Sequence, residues 1–320
     1  MKIKSFDECS IAEAQKCAQA MIVACGYEQR SRGITSLVEM LPPIKTALCF
    51  EEFSTILARP SNESFFRQKG FTLETVGSNQ SQKVQSLLDG VIRASLSNGS
   101  ALLLDISTMT RSWHGALVRQ LRTAEYGSEI TTFFAYTPSV FIHPRAGFAS
   151  NEFVAPVEGF AALTTPEYPV AAIIGLGYEK EEALGLQQLL DPSLTILFKP
   201  TAGQNDRYYK HVLANNREIL ARTPEDCSFD YRLDSPAETL SNFASLVNGL
   251  RSTHRVVLAS LGPKMFGLMS FLIATQFPEV SVWRVSSGVH GQPRDSVADL
   301  KRATILKVVW QPSERLAHSR

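Results

Sequence analysis

The stretch Ala101-Leu-Leu-Leu-Asp-Ile-Ser-Thr-Met-Thr-Arg111, continued by Ser112-Trp-His-Gly-Ala-Leu-Val-Arg-Gln-Leu-Arg122, changes character twice. Ala101 to Leu104 is a short apolar run of the kind that forms a buried strand. Asp105, Ser107, Thr108, Thr110 and Arg111 then arrive together, and Trp113, Leu117, Val118 and Leu121 return at helical spacing. This reads as strand, polar turn, helix start. Where such a turn enters its helix, free backbone N–H groups and the positive end of the helix dipole collect, which favours phosphate or carboxylate. The same form recurs as Arg255-Val-Val-Leu-Ala-Ser-Leu-Gly-Pro-Lys264, running into the apolar segment Met265 to Ala274.

Outward from these two stretches, the chain repeats itself. Met21-Ile-Val-Ala-Cys25 leads into Gly26-Tyr27-Glu28, and Val170-Ala-Ala-Ile-Ile174 leads through Gly175-Leu176 into Gly177-Tyr178-Glu179. The helices that follow stop at Pro42-Pro43 and at Asp191-Pro192. The strand candidates 46–50, 101–104 and 130–136 match 194–198, 256–259 and 280–285, and the helix 81–96 matches 236–250. Residues 71–76 add a further strand candidate. Strands alternating with helices predict parallel sheets covered on both faces. Self-similarity at so long a period predicts two fused units, residues 1–165 and 166–320, arranged as a pseudo-dimer whose turns face a shared cleft. The aromatic-rich connector 139–168 carries one strand candidate, 152–157, whose counterpart in the second unit is 303–310.

Composition narrows the function classes. Of 320 residues, 44% are hydrophobic and 20% charged, as in a globular protein with a full core, and the net charge of +1 argues against bulk binding of nucleic acid or anionic membrane. No apolar run reaches the length of a membrane span, and residues 1–8 lack the apolar core of a signal peptide, so the expected location is cytoplasmic. The five cysteines form no CxxC pair, and no metal set or cofactor motif is legible.

In open parallel sheets, ligands bind beyond the carboxyl ends of the strands, where strand order reverses. The candidate binding residues at those ends are Tyr27, Glu28, Arg30, Arg32, Asp105, Ser107, Thr108 and Arg111 in the first copy. Tyr178, Glu179, Ser260, Gly262 and Lys264 stand there in the second. Arginine grips two phosphate oxygens in a fork, and lysine supplies a point charge. Each turn also has a plainer reading, as a helix cap or a tight turn. His114, one turn into its helix, reads more naturally as a histidine satisfied by a neighbour than as a catalyst.

Strand, Ser260-Leu-Gly-Pro-Lys264, helix, strand resembles the second conserved region of CARF domains, and the Gly-Tyr-Glu turn corresponds to the family's other ligand-contacting region. A fused pair resembles SAVED-type proteins. The resemblance implies two Rossmann-like units, a cyclic oligonucleotide-like ligand and nucleotide-signal sensing in prokaryotic antiviral defence, with output passed to a partner effector protein. Asp105-Ile-Ser-Thr departs from the family turn in lacking glycine.

The leading expectation is therefore a module that binds a nucleotide or another phosphorylated small molecule. A rival is an enzyme acting on a nucleotide in the same cleft, with Glu28 or Asp105 as acid or base, Arg111 stabilising phosphate charge and His114 carrying a proton. A third is a structural or adaptor subunit that docks a partner through its connector. Turnover separates the second expectation from the first, and assembly without ligand favours the third.

Overall fold

The computed structural model describes residues 1–96, 100–142, 153–163, 165–201, 207–286 and 293–313. It is an α/β protein with two mixed sheets of mostly parallel strands flanked by helices. In chain order the strands are β1 (Lys2–Cys9), β2 (Ala20–Cys25), β3 (Ile44–Phe50), β4 (Thr72–Val76), β5 (Ala101–Asp105), β6 (Ile130–Tyr136), β7 (Phe153–Pro156), β8 (Val170–Gly175), β9 (Leu194–Thr201), β10 (Ser228–Arg232), β11 (Arg255–Ser260), β12 (Ser281–Ser286) and β13 (Thr304–Gln311). The first sheet runs β1-β13-β6-β5-β2-β3-β4 and the second β10-β9-β8-β11-β12-β7.

The parallel strands of the two sheets follow one order. The chain starts at a central strand, β2 or β8, steps outward through two strands, then returns to the other side of the central one. β2 is buried along its whole length and β8 at all but its first residue, which explains why their sequences are uninterrupted apolar runs rather than alternating ones.

The expectation of wholly parallel sheets is corrected at the edges. β13 pairs antiparallel with both β6 and β1, and β7 pairs antiparallel with β12. These pairings also cross between the sheets. β7, which follows the first set of parallel strands, completes the second sheet, and β13, which follows the second set, completes the first. Trp310, wholly buried on β13, donates its indole N–H to Thr132 Oγ1 on β6 at 2.9 Å, so the incoming strand is locked by a side chain as well as by its ladder.

Two helices join the halves. α5 (Arg111–Thr123) follows β5, and α10 (Lys264–Gln276) follows β11. Residues 265–274 of α10 are all buried, so this helix is apolar around its circumference and sits at the centre of the molecule. α5 approaches it at Gly115, where a Cβ would stand 2.8 Å from Val157 and 3.2 Å from the Phe271 ring. One apolar core therefore runs through both halves, from Trp113 and Phe134 to Phe243, Phe266 and Met269.

Candidate functional site

Four turns stand at the carboxyl ends of the central strands: residues 26–28 after β2, 106–110 after β5, 176–181 after β8 and 261–263 after β11. Each is fixed by its own sequence. Thr110 caps α5, accepting the Trp113 N–H through Oγ1 at 3.2 Å. Thr108 Oγ1 donates to Ala24 O at 3.3 Å and accepts from Ser31 Oγ at 3.2 Å, and the Thr137 N–H donates to Ser107 Oγ at 2.9 Å. Ser107 and Thr108 thus tie the turns together.

The Gly-Tyr-Glu turns are held by a device that the sequence reading missed. Asn62 lies on α3 (Arg59–Gln68), and its Nδ2 donates at 2.8 Å to both Gly26 O and Glu28 O. In the second half Asn216 Nδ2 donates to Gly177 O at 2.8 Å. An asparagine in the helical segment after the second parallel strand of each sheet was the available signal.

The helix starts reach across the interface. Arg111 Nη2, from the first residue of α5, donates to Gly262 O at 2.9 Å. Lys264 Nζ, from the first residue of α10, donates to Met109 O at 2.8 Å. The two bonds are one contact made in both directions: each half's first helical cation binds the carbonyl just ahead of the other half's helix. Arg111 and Lys264 are thereby brought together, each set in the other half's crevice.

Among the turns of the first half, Glu28, Arg30, Asp105 and Tyr136 gather with the crossing Lys264. Arg30 pairs with Glu28 at 3.0 Å and Glu28 also accepts from Ser296 Oγ, while the Arg30 N–H donates to Ser296 O at 2.8 Å. Asp105 accepts the Ser107 N–H at 3.0 Å, and burial pushes its carboxyl up to about 6. Burial, with Arg30 as the next cause, pulls the Lys264 amine down to about 7. A titratable set displaced toward neutrality in this way is what acid–base sites use.

Near the turns of the second half, Arg111 gathers with Glu182, Ser260, Tyr208 and Tyr231. Glu182, on α6 (Glu182–Leu190), is an acid that the sequence reading did not single out, and burial raises it to about 7 against the opposing Arg111 charge. The residue before it, Glu181, has φ of 64°, a left-handed conformation costing about 1 kcal/mol outside glycine.

Several expected residues lie elsewhere. Arg32 turns along α3, donating to Asn62 Oδ1 at 2.6 Å and stacking its guanidinium 5.3 Å from the Phe65 ring. Tyr27 packs edge-on against Phe53, and Tyr178 against Tyr208. Burial raises the Glu179 carboxyl, opposed by Arg294. Gly262 packs its backbone against Leu176.

His114 is wholly buried, and its Nε2 meets Ile106 O at 3.2 Å, so the proton sits on Nε2. Burial first, then the Lys264 charge, lowers it to about 3. The unfolded chain takes up a proton near 6.5 that the folded chain refuses until about 3. The stability contribution of this residue is complete above 6.5 and is lost as pH falls through that window. His114→Gln, which keeps a donor for Ile106 O, is expected to flatten acid destabilisation between pH 6 and 4 by up to about 1.4 kcal/mol per pH unit. Urea titrations at stepped pH measure this, and parallel curves for variant and wild type would refute it.

A surface cavity of about 480 Å³ lies at the other ends of α5 and α10, among Arg122, Phe160, Leu163, Ala274, Pro278 and Glu279. It is remote from the four turns and from the titratable set. Among the described residues no group of three or more His, Cys, Asp or Glu is placed to hold a metal ion, and no helix is long and apolar enough to cross a membrane. No protein-family model matches the chain, and a search of curated proteins finds no relative.

Proposed function

We propose that the chain is a pseudo-dimer of two Rossmann-like units that binds a nucleotide, of the cyclic oligonucleotide kind, where its four turns meet, and passes the bound state to a partner protein in the cytoplasm. The observation that carries this reading is the reciprocal pair Arg111 to Gly262 O and Lys264 to Met109 O. It sets two cations and two helix N-termini side by side where the sheets end, which suits a ligand with more than one phosphate. A ligand contacting both crevices would bind the two halves in one arrangement, and a partner reading that arrangement would receive the signal. Antiviral defence is the setting implied by the resemblance of Ser260-Leu-Gly-Pro-Lys264 to CARF turns.

A thermal-shift panel of mononucleotides, cyclic dinucleotides and cyclic oligoadenylates tests this. A ligand present at a hundred times its Kd adds about 2.7 kcal/mol of stability, a shift of several degrees. A panel in which nothing moves the midpoint would remove the proposal.

The displaced carboxyl of Asp105 and amine of Lys264 favour one second reading, an enzyme acting on the nucleotide in the first crevice. Incubating protein with the ligand and analysing the nucleotide by mass spectrometry separates the two: an unchanged ligand means a sensor, and a stoichiometric excess of product means an enzyme.

A further inference from the structure

The two crevices differ in how completely their polar groups are used. In the first, the charged groups are all bonded: Arg30 is paired with Glu28, Lys264 donates to Met109 O, and Asp105 accepts from Ser107, while the orphaned atoms near these turns, Thr137 Oγ1 and His114 Nδ1, are uncharged. In the second, three donors have no acceptor. Arg111 spends Nη2 on Gly262 O but leaves Nε without a partner; the Ser260 hydroxyl, on a residue 3% exposed, and the Tyr231 hydroxyl, on a residue 5% exposed, also have none.

These groups come from different elements and face one place. Gly267, in the second turn of α10, lies between two of them: the position of its missing Cβ is 3.4 Å from Ser260 Oγ and 3.8 Å from Arg111 Nε. Tyr231 packs its ring against that of Phe266, the residue before Gly267, with centroids 5.2 Å apart. A buried donor without an acceptor costs about 1–3 kcal/mol, so three near the start of one helix call for a partner. All three are N–H or O–H groups, and the N-terminal turn of a 13-residue helix adjoins them. That set is complementary to a tetrahedral oxyanion.

We infer that this donor cluster at the start of α10 holds a phosphoryl group of the ligand, gripped by Ser260, Tyr231 and an arginine supplied by the first half. The inference rests on the proposed nucleotide reading and divides its labour. The second half grips phosphate, and Arg111 makes that grip depend on how the halves sit together. The first crevice is left for recognition or chemistry.

Tyr231→Phe and Ser260→Ala test it, because each removes a hydroxyl that bonds to nothing in the protein. The unliganded midpoint of each variant is expected to equal or exceed that of the wild type, whereas a hydroxyl with a structural role would lower it. Calorimetric titration with inorganic phosphate, AMP and cyclic di-AMP is expected to show binding to the wild type, weakened on the order of tenfold in each variant. Binding to the wild type with unchanged Kd in both variants would overturn the assignment while leaving the nucleotide reading standing. No binding of any of the three to the wild type would overturn the assignment, and the nucleotide reading falls with it only if the thermal-shift panel is silent as well. Unchanged affinity with a lowered midpoint would assign the hydroxyls to the fold alone.

Discussion

Gly177→Ala and Gly262→Ala are each expected to cost about 3 kcal/mol or more, whereas Gly26→Ala, at the matching place in the first half, is expected to be harmless. The two turns of the second half lie back to back. A Cβ on Gly177 would stand 2.1 Å from Leu261 O, and one on Gly262 would stand 2.1 Å from Leu176 O. Both obstacles are backbone at the ends of central strands, so no rotamer change relieves them. At Gly26 the nearest atom is on the Phe50 ring at 3.4 Å, an ordinary contact. There alanine lowers the entropy of the unfolded chain and leaves stability level or raised by about 0.5 kcal/mol. Differential scanning calorimetry reads the contrast, as a fall of about 4–5 °C or more for the first two variants and none for the third. Equal behaviour of Gly26 and Gly177 variants would show that the second half's turns do not touch as described.

Ending the chain after Arg302, which removes β13, is expected to abolish cooperative unfolding altogether. The strand lies between β6 and β1, so its loss empties two ladders and exposes the side chains that face Ile305, Leu306, Val308 and Trp310, all buried. Thr132 Oγ1 loses both the Trp310 indole and the Val308 carbonyl. The truncated chain is expected to bind a hydrophobic dye and to melt without a transition, and a peptide of residues 303–313 added in trans is expected to restore part of the transition. A truncated chain melting within a few degrees of the full one would contradict the placement of β13.

Much of the frame was legible because buried parallel strands announce themselves as apolar runs: 21–25, 46–50, 101–104, 170–174 and 256–259 all fall inside strands. β1 escaped because an edge strand reading Lys-Ile-Lys-Ser-Phe-Asp-Glu-Cys has mostly exposed side chains and no run to find. β7 and β13 were visible as segments, but their partners were not. Strand pairing across the whole chain is decided by what surface remains uncovered, which leaves no mark in the local sequence. The site divides in the same way. Arg111 and Lys264 stood out as cations at helix starts, but both bind backbone carbonyls, and a carbonyl has no letter in the sequence. Arg30 and Arg32 looked alike; Asn62 and Ser61 draw Arg32 away while Glu28 holds Arg30 at the crevice. Tyr231 and Glu182 stood outside the recurring turns and were found only through packing.

The pairing of β1 with β13 also sets a schedule for synthesis. Of the strands described here, a ribosome delivers β1 first and β13 last, yet β13 is the strand against which β1 is zipped. While β2 to β6 can pair in the order in which they emerge, β1 must wait beside them without its ladder, and β6 must keep an open edge until β13 emerges. Loop closure over so many residues is slow, and an unpaired edge invites pairing with another nascent chain. The charged side chains of β1, Lys2, Lys4, Asp7 and Glu8, serve as its protection during that wait.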